Sequence, residues 1–131
     1  MILNTDGGAR GNPGPGAAGA VLKDDAGNVI KEVGKYLGVS TNNEAEYQAL
    51  ILGLTLATEL KVHELICKLD SELVVNQLNG FYKVKNEKLG VLFKTVKNLQ
   101  KNFSSIKFVH IPRTQNKEAD ALVNATLDTA S

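Results

Sequence analysis

Four acids stand where their positions suggest chemistry: Asp6, Glu46, Asp70 and Asp120. Asp6 follows the apolar run "MILNT" and Asp70 follows "HELICKL", so each ends a candidate strand. If those strands are parallel neighbours, both acids lie on one rim of a sheet, where α/β proteins place their sites. Glu46 falls in the first turns of a helix, on the stripe shared with Leu50, Gly53, Ala57 and Leu60. Asp120 opens the last helix, in line with Val123 and Leu127. Each acid alone has a simpler reading. Asp6 could be a turn residue and Asp70 the N-cap of the next helix. Glu46 and Asp120 could complement helix dipoles. Together they say more, because the same stripes carry no Lys or Arg to pair them, and acids aimed at a core are costly without a partner or a cation. Carboxylate oxygens suit Mg²⁺ or Mn²⁺. One cysteine and two histidines are too few for a typical zinc site.

A second chemistry is spelled by "TDGGARGNPGPGAAGAVL" (5–22), where Gly14, Gly16 and Gly19 match the dinucleotide fingerprint G-x-G-x-x-G. That fingerprint works only between a strand and a helix whose N-terminus receives the pyrophosphate. Here "AVL" is followed at once by the turn cluster "DDAGN" (24–28), which leaves no room for a helix. Dinucleotide binding is excluded by context. The glycines are read instead as a loop whose backbone approaches a ligand or strand closely, carrying Arg10 and Asn12 beside Asp6.

The elements that must hold these residues follow from periodicity and punctuation. Strands are predicted up to Asp6, over "AAGAVL", over 29–38, over 63–69 and over 105–111. Helices are predicted over 41–60, 71–80, from about 86, and over 116–128. Thr41 with Glu44 spells a capping box. The order β-β-β-α-β-α-α-β-α joins a meander to strand–helix crossovers, which implies a mixed sheet covered by helices.

The 131 residues suit one domain. The chain's 43% hydrophobic and 22% charged residues are ordinary for a soluble globular protein, and the net charge of +1 neither demands a nucleic-acid partner nor excludes one. Cys67, in the apolar run "LICKL", reads as a small buried hydrophobe in a reducing compartment. The absence of a signal peptide and of a membrane-length apolar run leads to the expectation of a cytoplasmic protein with no membrane partner. The glycosylation sequons at Asn102 and Asn124 are read as coincidences of spelling.

Four blocks, "TDGGARGNPGPGAAG", "TNNEAEYQAL", "LDSELVVNQL" and "NKEADALVNATL", resemble in order the motifs of type 1 ribonucleases H. Each contributes one of the four acids, and the resemblance runs from residue 4 to about 128. The resemblance implies a five-stranded mixed sheet of order 3-2-1-4-5 with helices on both faces, as a single domain over 1–131. It implies hydrolysis of the RNA strand of RNA/DNA hybrids, leaving 5′-phosphate and 3′-hydroxyl ends. Asp6, Glu46, Asp70 and Asp120 would hold two Mg²⁺ ions, with Mn²⁺ as a substitute. In such sites the ions sit roughly 3.5–4 Å apart. Asn12, Asn42 and Asn43 match positions that read 2′-hydroxyls in the minor groove, and Thr41 a position that binds a DNA-strand phosphate. Double-stranded RNA stays open as a further substrate, and a monomer is expected.

The chain also departs from the family pattern. Many members carry a histidine in the loop before the last acid. Here His110 alternates with hydrophobics in "FVHI" and reads as a strand residue, whereas Arg113 lies in the loop. Arg113 is the favoured catalytic candidate, its fixed charge suiting phosphate contact or product release but not proton transfer. Glu72 replaces a glutamine found in some members. The segment after Asp70 is too short for the basic insertion of some bacterial members, and no N-terminal hybrid-binding domain is seen. Lys83, Lys85, Lys88, Lys94, Lys97 and Lys101 are candidates for substitute phosphate contacts or for a solvated helix face. An integrase-like or exonuclease relative and a non-catalytic nucleic-acid-binding module are the rival readings. The first two blocks disfavour the former, and retention of all four acids disfavours the latter.

Overall fold

The computed structural model describes residues 1–130. Their elements run β1 (Ile2–Ala9), β2 (Gly14–Lys23), β3 (Val29–Ser40), α1 (Asn42–Glu59), β4 (Glu64–Leu69), α2 (Glu72–Leu78), α3 (Glu87–Gln100), β5 (Ser105–His110), a 3-10 turn (Arg113–Gln115) and α4 (Lys117–Ala130). β1, β2 and β3 form an antiparallel meander, and β4 and β5 add in parallel on the other side of β1. The sheet order is β3-β2-β1-β4-β5, as expected for the mixed sheet.

Two layers of helix cover the sheet. On one face Leu3 and Leu22 of the sheet pack with Tyr47, Leu50 and Leu54 of α1 and with Val74 and Val96 of α2 and α3. Cys67 belongs to this core, where burial pushes its thiol far up from its ordinary range. On the opposite face α4 seats Val123 and Leu127 against Ala17 of β2. No described helix is long and apolar enough to cross a membrane.

Two details differ from the sequence reading. The glycine run is not a loop: β2 begins at Gly14, and Gly16 pairs with both Ala9 and Gly38. Only four residues, 10–13, connect β1 to β2. Gly and Pro weaken a strand expectation, but here small residues are what the packing requires. A Cβ on Gly19 would lie 2.8 Å from the Ala119 carbonyl of α4. Likewise β1 runs through Asp6 to Ala9 because its antiparallel partner continues. The parallel ladder to β4, by contrast, ends at the pair Thr5–Leu69. Asp6 and Asp70 are therefore the next residues of two adjacent parallel strands, on one rim.

Helix α1 starts as its sequence directs. Thr41 Oγ1 accepts from the Glu44 backbone N–H, and Glu44 Oε1 accepts from the Thr41 N–H, both at 3.1 Å. Such a cap is worth about 1 kcal/mol, and it sets the phase that turns Glu46 inward.

Candidate active site

Glu46 reaches the rim because α1 lies almost on top of β1. A Cβ on Gly7 would run into the Ala45 carbonyl, so only glycine lets the helix come this close. The Gly7 N–H donates to Glu46 Oε1 at 2.7 Å. Asp6 and Glu46 are both buried, at 7% and 6% exposure. Asp70, half-buried, completes the group: one carboxylate oxygen from each of the three acids lies within 4.8 Å of the others. Asp70 does not cap α2; Ser71 does, its Oγ accepting from the Val74 N–H at 3.3 Å.

The electrostatic cost is visible in the acids themselves. Burial, followed by the charges of Asp70 and Asp120, pushes Asp6 up to about 7, although the neighbouring Glu46 carboxyl works the other way. Glu46 is held well above the ordinary carboxylate range, first by burial and then by Asp6. Glu46 Oε2 is buried with no hydrogen-bond partner. An orphaned buried carboxylate oxygen beside two further carboxylates is a donor set that suits a hard cation such as Mg²⁺ or Mn²⁺.

Asp120 lines the same cleft, of about 350 Å³, but stands outside the tight group of three. Its Oδ1 faces Arg113 Nη2 and its Oδ2 faces Asn124 Nδ2, each at 3.5 Å. Arg113 projects from the 3-10 turn after Pro112, with its side chain 80% exposed. The sequence reading found no basic partner on the acids' own stripes, and none of those stripes supplies one; the partner comes from a loop. His110 is exposed at the end of β5, and Glu72 in the first turn of α2; neither belongs to the cleft lining.

The predicted amide cluster forms beside the cleft. Asn42 Oδ1 accepts from the Ala9 N–H at 2.9 Å, and Asn12 Oδ1 accepts from the Asn42 N–H at 3.1 Å, which clips the β1–β2 connection to the start of α1. Asn12, Thr41 and Asn43 border a second hollow together with Asn86 and Lys88. Asn86 was not singled out from sequence because it reads as a helix cap, and it is one: its Oδ1 accepts from the Leu89 N–H. Of the lysines, Lys97 is engaged, donating to the Leu78 carbonyl at 2.8 Å and lying 5.5 Å from the Phe93 ring. Lys83, Lys85, Lys88, Lys94 and Lys101 are exposed.

Asn116 is the residue that sequence reasoning missed in the centre. It is 1% exposed, and its side chain joins Asn4, the Thr5 carbonyl and Asp70. Its place before a helix suggests a cap; only Asn4, a polar residue in the apolar run "MILNT", hints at a buried polar partner.

Comparison with known proteins gives this arrangement a family. A family model described as reverse transcriptase-like matches residues 4–126. The Bifunctional protein Rv2228c of Mycobacterium tuberculosis is 40% identical over the whole chain, which spans 36% of that protein's length. The Ribonuclease HI of Halobacterium salinarum is 39% identical over 95% of the chain and 63% of its own length. The chain thus spans between a third and two thirds of these relatives. The Ribonuclease H of Hydrogenovibrio crunogenus is 34% identical over 96% of the chain and 94% of its own length. Among solved structures, the halobacterial ribonuclease H1 superposes with a TM-score of 0.95 at 38% identity, covering 98% of this chain and 97% of that one. LC11 ribonuclease H1, isolated from compost and solved in complex with an RNA/DNA hybrid, gives 0.92 at 43% identity over 98% and 97%. With the four motif blocks, the strand order and the clustered acids, these matches establish that the chain belongs to the ribonuclease H family.

Proposed function

We propose that this protein is a metal-dependent endoribonuclease that hydrolyses the RNA strand of RNA/DNA hybrids, residues 1–131 acting as one ribonuclease H domain and as a monomer. The observation that carries the reading is the group Asp6, Glu46 and Asp70, with oxygens within 4.8 Å and Glu46 Oε2 left without a partner. Asp6, Glu46, Asp70 and Asp120 are the residues to hold two Mg²⁺ ions, with Mn²⁺ as a substitute. When bound, such ions supply a hydroxide nucleophile near neutral pH and charge stabilisation for in-line displacement at phosphorus. Cleavage on the 3′-oxygen side of the phosphate leaves 5′-phosphate and 3′-hydroxyl ends.

The chain's own groups do the rest. The clip between Asn12 and Asn42 presents amides beside the acids, and amides both donate to and accept from a 2′-hydroxyl, the group that tells RNA from DNA. Asn43 extends that row. Thr41, with Asn86 and Lys88 in the neighbouring hollow, suits a phosphate of the DNA strand. Arg113 brings a planar guanidinium to the cleft, which suits holding a phosphate oxygen or helping the product leave. LC11 ribonuclease H1 in complex with RNA/DNA hybrid supports the choice of substrate class.

The test is cleavage of end-labelled RNA/DNA, RNA/RNA and DNA/DNA duplexes with Mg²⁺, Mn²⁺ or EDTA, beside Asp70→Asn. Hybrid RNA cut with metal, not with EDTA and not by the variant is the expected result, and the RNA/RNA lane sets the breadth of substrate. A protein that shifts hybrid in a gel yet cuts nothing with either metal would be a binding module instead.

A further inference from the structure

Asn116 is a neutral side chain at the junction of three acid-bearing segments. Its Nδ2 donates to the Thr5 carbonyl at 2.8 Å and to Asp70 Oδ2 at 3.2 Å. Its Oδ1 accepts from Asn4 Nδ2 at 3.2 Å. An asparagine just before a helix ordinarily offers that oxygen to the helix's first turn; here Asn4 takes it. The backbone carbonyl of Asn116 meanwhile accepts from the Asp120 N–H at 3.1 Å. One residue thus touches the strand residue next to Asp6, the carboxylate of Asp70 and the backbone of Asp120.

We infer that Asn116 is a positioning residue for the cation site: its amide fixes the rotamer of Asp70, so that the carboxylate is oriented toward Asp6 and Glu46 before metal arrives. The inference rests on the reading of Asp70 as a metal ligand. An amide suits the task better than a cation would. A lysine beside Asp70 would compete with the metal for the carboxylate's charge, whereas an N–H donor orients the group and leaves its charge in place. The second N–H, on the Thr5 carbonyl, locks the amide's own orientation: with an acceptor on each of its two contacts, only the nitrogen end can face Asp70. The polar chain is buried, so its members have few alternative partners.

The test compares Asn116→Ala with Asn4→Ala by titrating the metal-free protein with Mn²⁺ in a calorimeter and by thermal melting. Both substitutions disturb the same buried chain, and both should lower the melting temperature. Only Asn116→Ala removes the donor to Asp70. It should weaken Mn²⁺ binding by about tenfold or more, the usual cost of deleting a group that orients a ligand. Asn4→Ala should stay within about twofold. The metal concentration for half-maximal hybrid cleavage should rise in step for Asn116→Ala, with kcat recovering at saturating metal. Should Asn116→Ala fail to fold, Asn116→Ser is judged by the same criterion. Wild-type Mn²⁺ affinity in the Asn116 variant, with loss of melting temperature alone, would leave only a packing role and overturn the inference. Asp70→Asn separates the two levels. If it binds Mn²⁺ as wild type does, the reading of Asp70 as a ligand falls and takes the inference with it. If Asp70→Asn loses affinity while Asn116→Ala keeps it, the inference alone falls.

Discussion

The Gly7 N–H and Glu46 Oε1 lie 2.7 Å apart, and that contact exists because residue 7 has no side chain to hold α1 away from β1. Gly7→Ala forces its methyl onto the Ala45 carbonyl. It should destabilise the fold by about 1–3 kcal/mol, the cost of overpacking a tight contact. It should also displace Glu46 and abolish cleavage. Gly90, inside α3 with nothing within 4 Å of a built Cβ, is the matched control. Gly90→Ala should stabilise by up to about 1 kcal/mol. Chemical denaturation of both variants checks the pair.

Metal-free protein should lose stability as pH rises. Asp6 titrates near 7 in the fold against an ordinary 3.8, and Glu46 is raised in the same direction. Between those limits the native state keeps protons that the unfolded chain has released, so unfolding becomes easier with every step upward in pH. The slope is about 1.4 kcal/mol per pH unit for each fully differing group. For Asp6 the loss is complete above its native value and flat beyond it. Mg²⁺ or Mn²⁺ displaces those protons, so the metal-induced rise in melting temperature should be larger near pH 8 than near pH 5. Melts with and without EDTA across that range measure it.

Arg113 and His110 should behave differently. Arg113→Ala removes a cation from the cleft and should lower kcat/KM by about tenfold or more, the worth of a charge-assisted hydrogen bond. The shape of its pH–rate profile should match wild type, since the role proposed for Arg113 is phosphate contact and not proton transfer. His110→Ala, at an exposed position outside the cleft lining, should leave activity within about twofold. A pH profile that loses a limb in the histidine variant would reassign the loop's chemistry.

Thr41 carries two tasks that substitution separates. Thr41→Ala removes the cap and should cost about 1 kcal/mol of stability. Thr41→Ser keeps the hydroxyl and should keep both stability and hybrid affinity. If Thr41→Ala raises the KM for hybrid by more than its stability loss accounts for at a temperature well below melting, the hydroxyl also meets substrate.

The sequence reveals the layered fold and the four acids because both leave local signs: alternation, helical stripes, a capping box, and carboxylates on apolar faces. It starts the second strand too late, since Gly14 and Gly16 look like a loop until their close neighbours, the Arg10 carbonyl and the Ser40 side chain, are known. Asn116 is hidden for a related reason. Its partners, Thr5 and Asp70, belong to other strands, and its position before a helix has a complete local explanation. The cap reading weighed for Asp70 goes instead to Ser71, one residue on, which is an equally good cap. Local rules fail here where distant segments meet.

The four acids come from β1, α1, β4 and α4, that is, from the first strand through to the last helix. No fragment that stops short of α4 holds them all. On the proposed four-acid site, a nascent chain should gain cleaving activity only once α4 has left the ribosome and docked, and a proteolytic cut that frees that helix should silence it. A hybrid-cleavage assay on refolding protein would follow the docking of α4 directly, with no spectroscopic probe added to the chain.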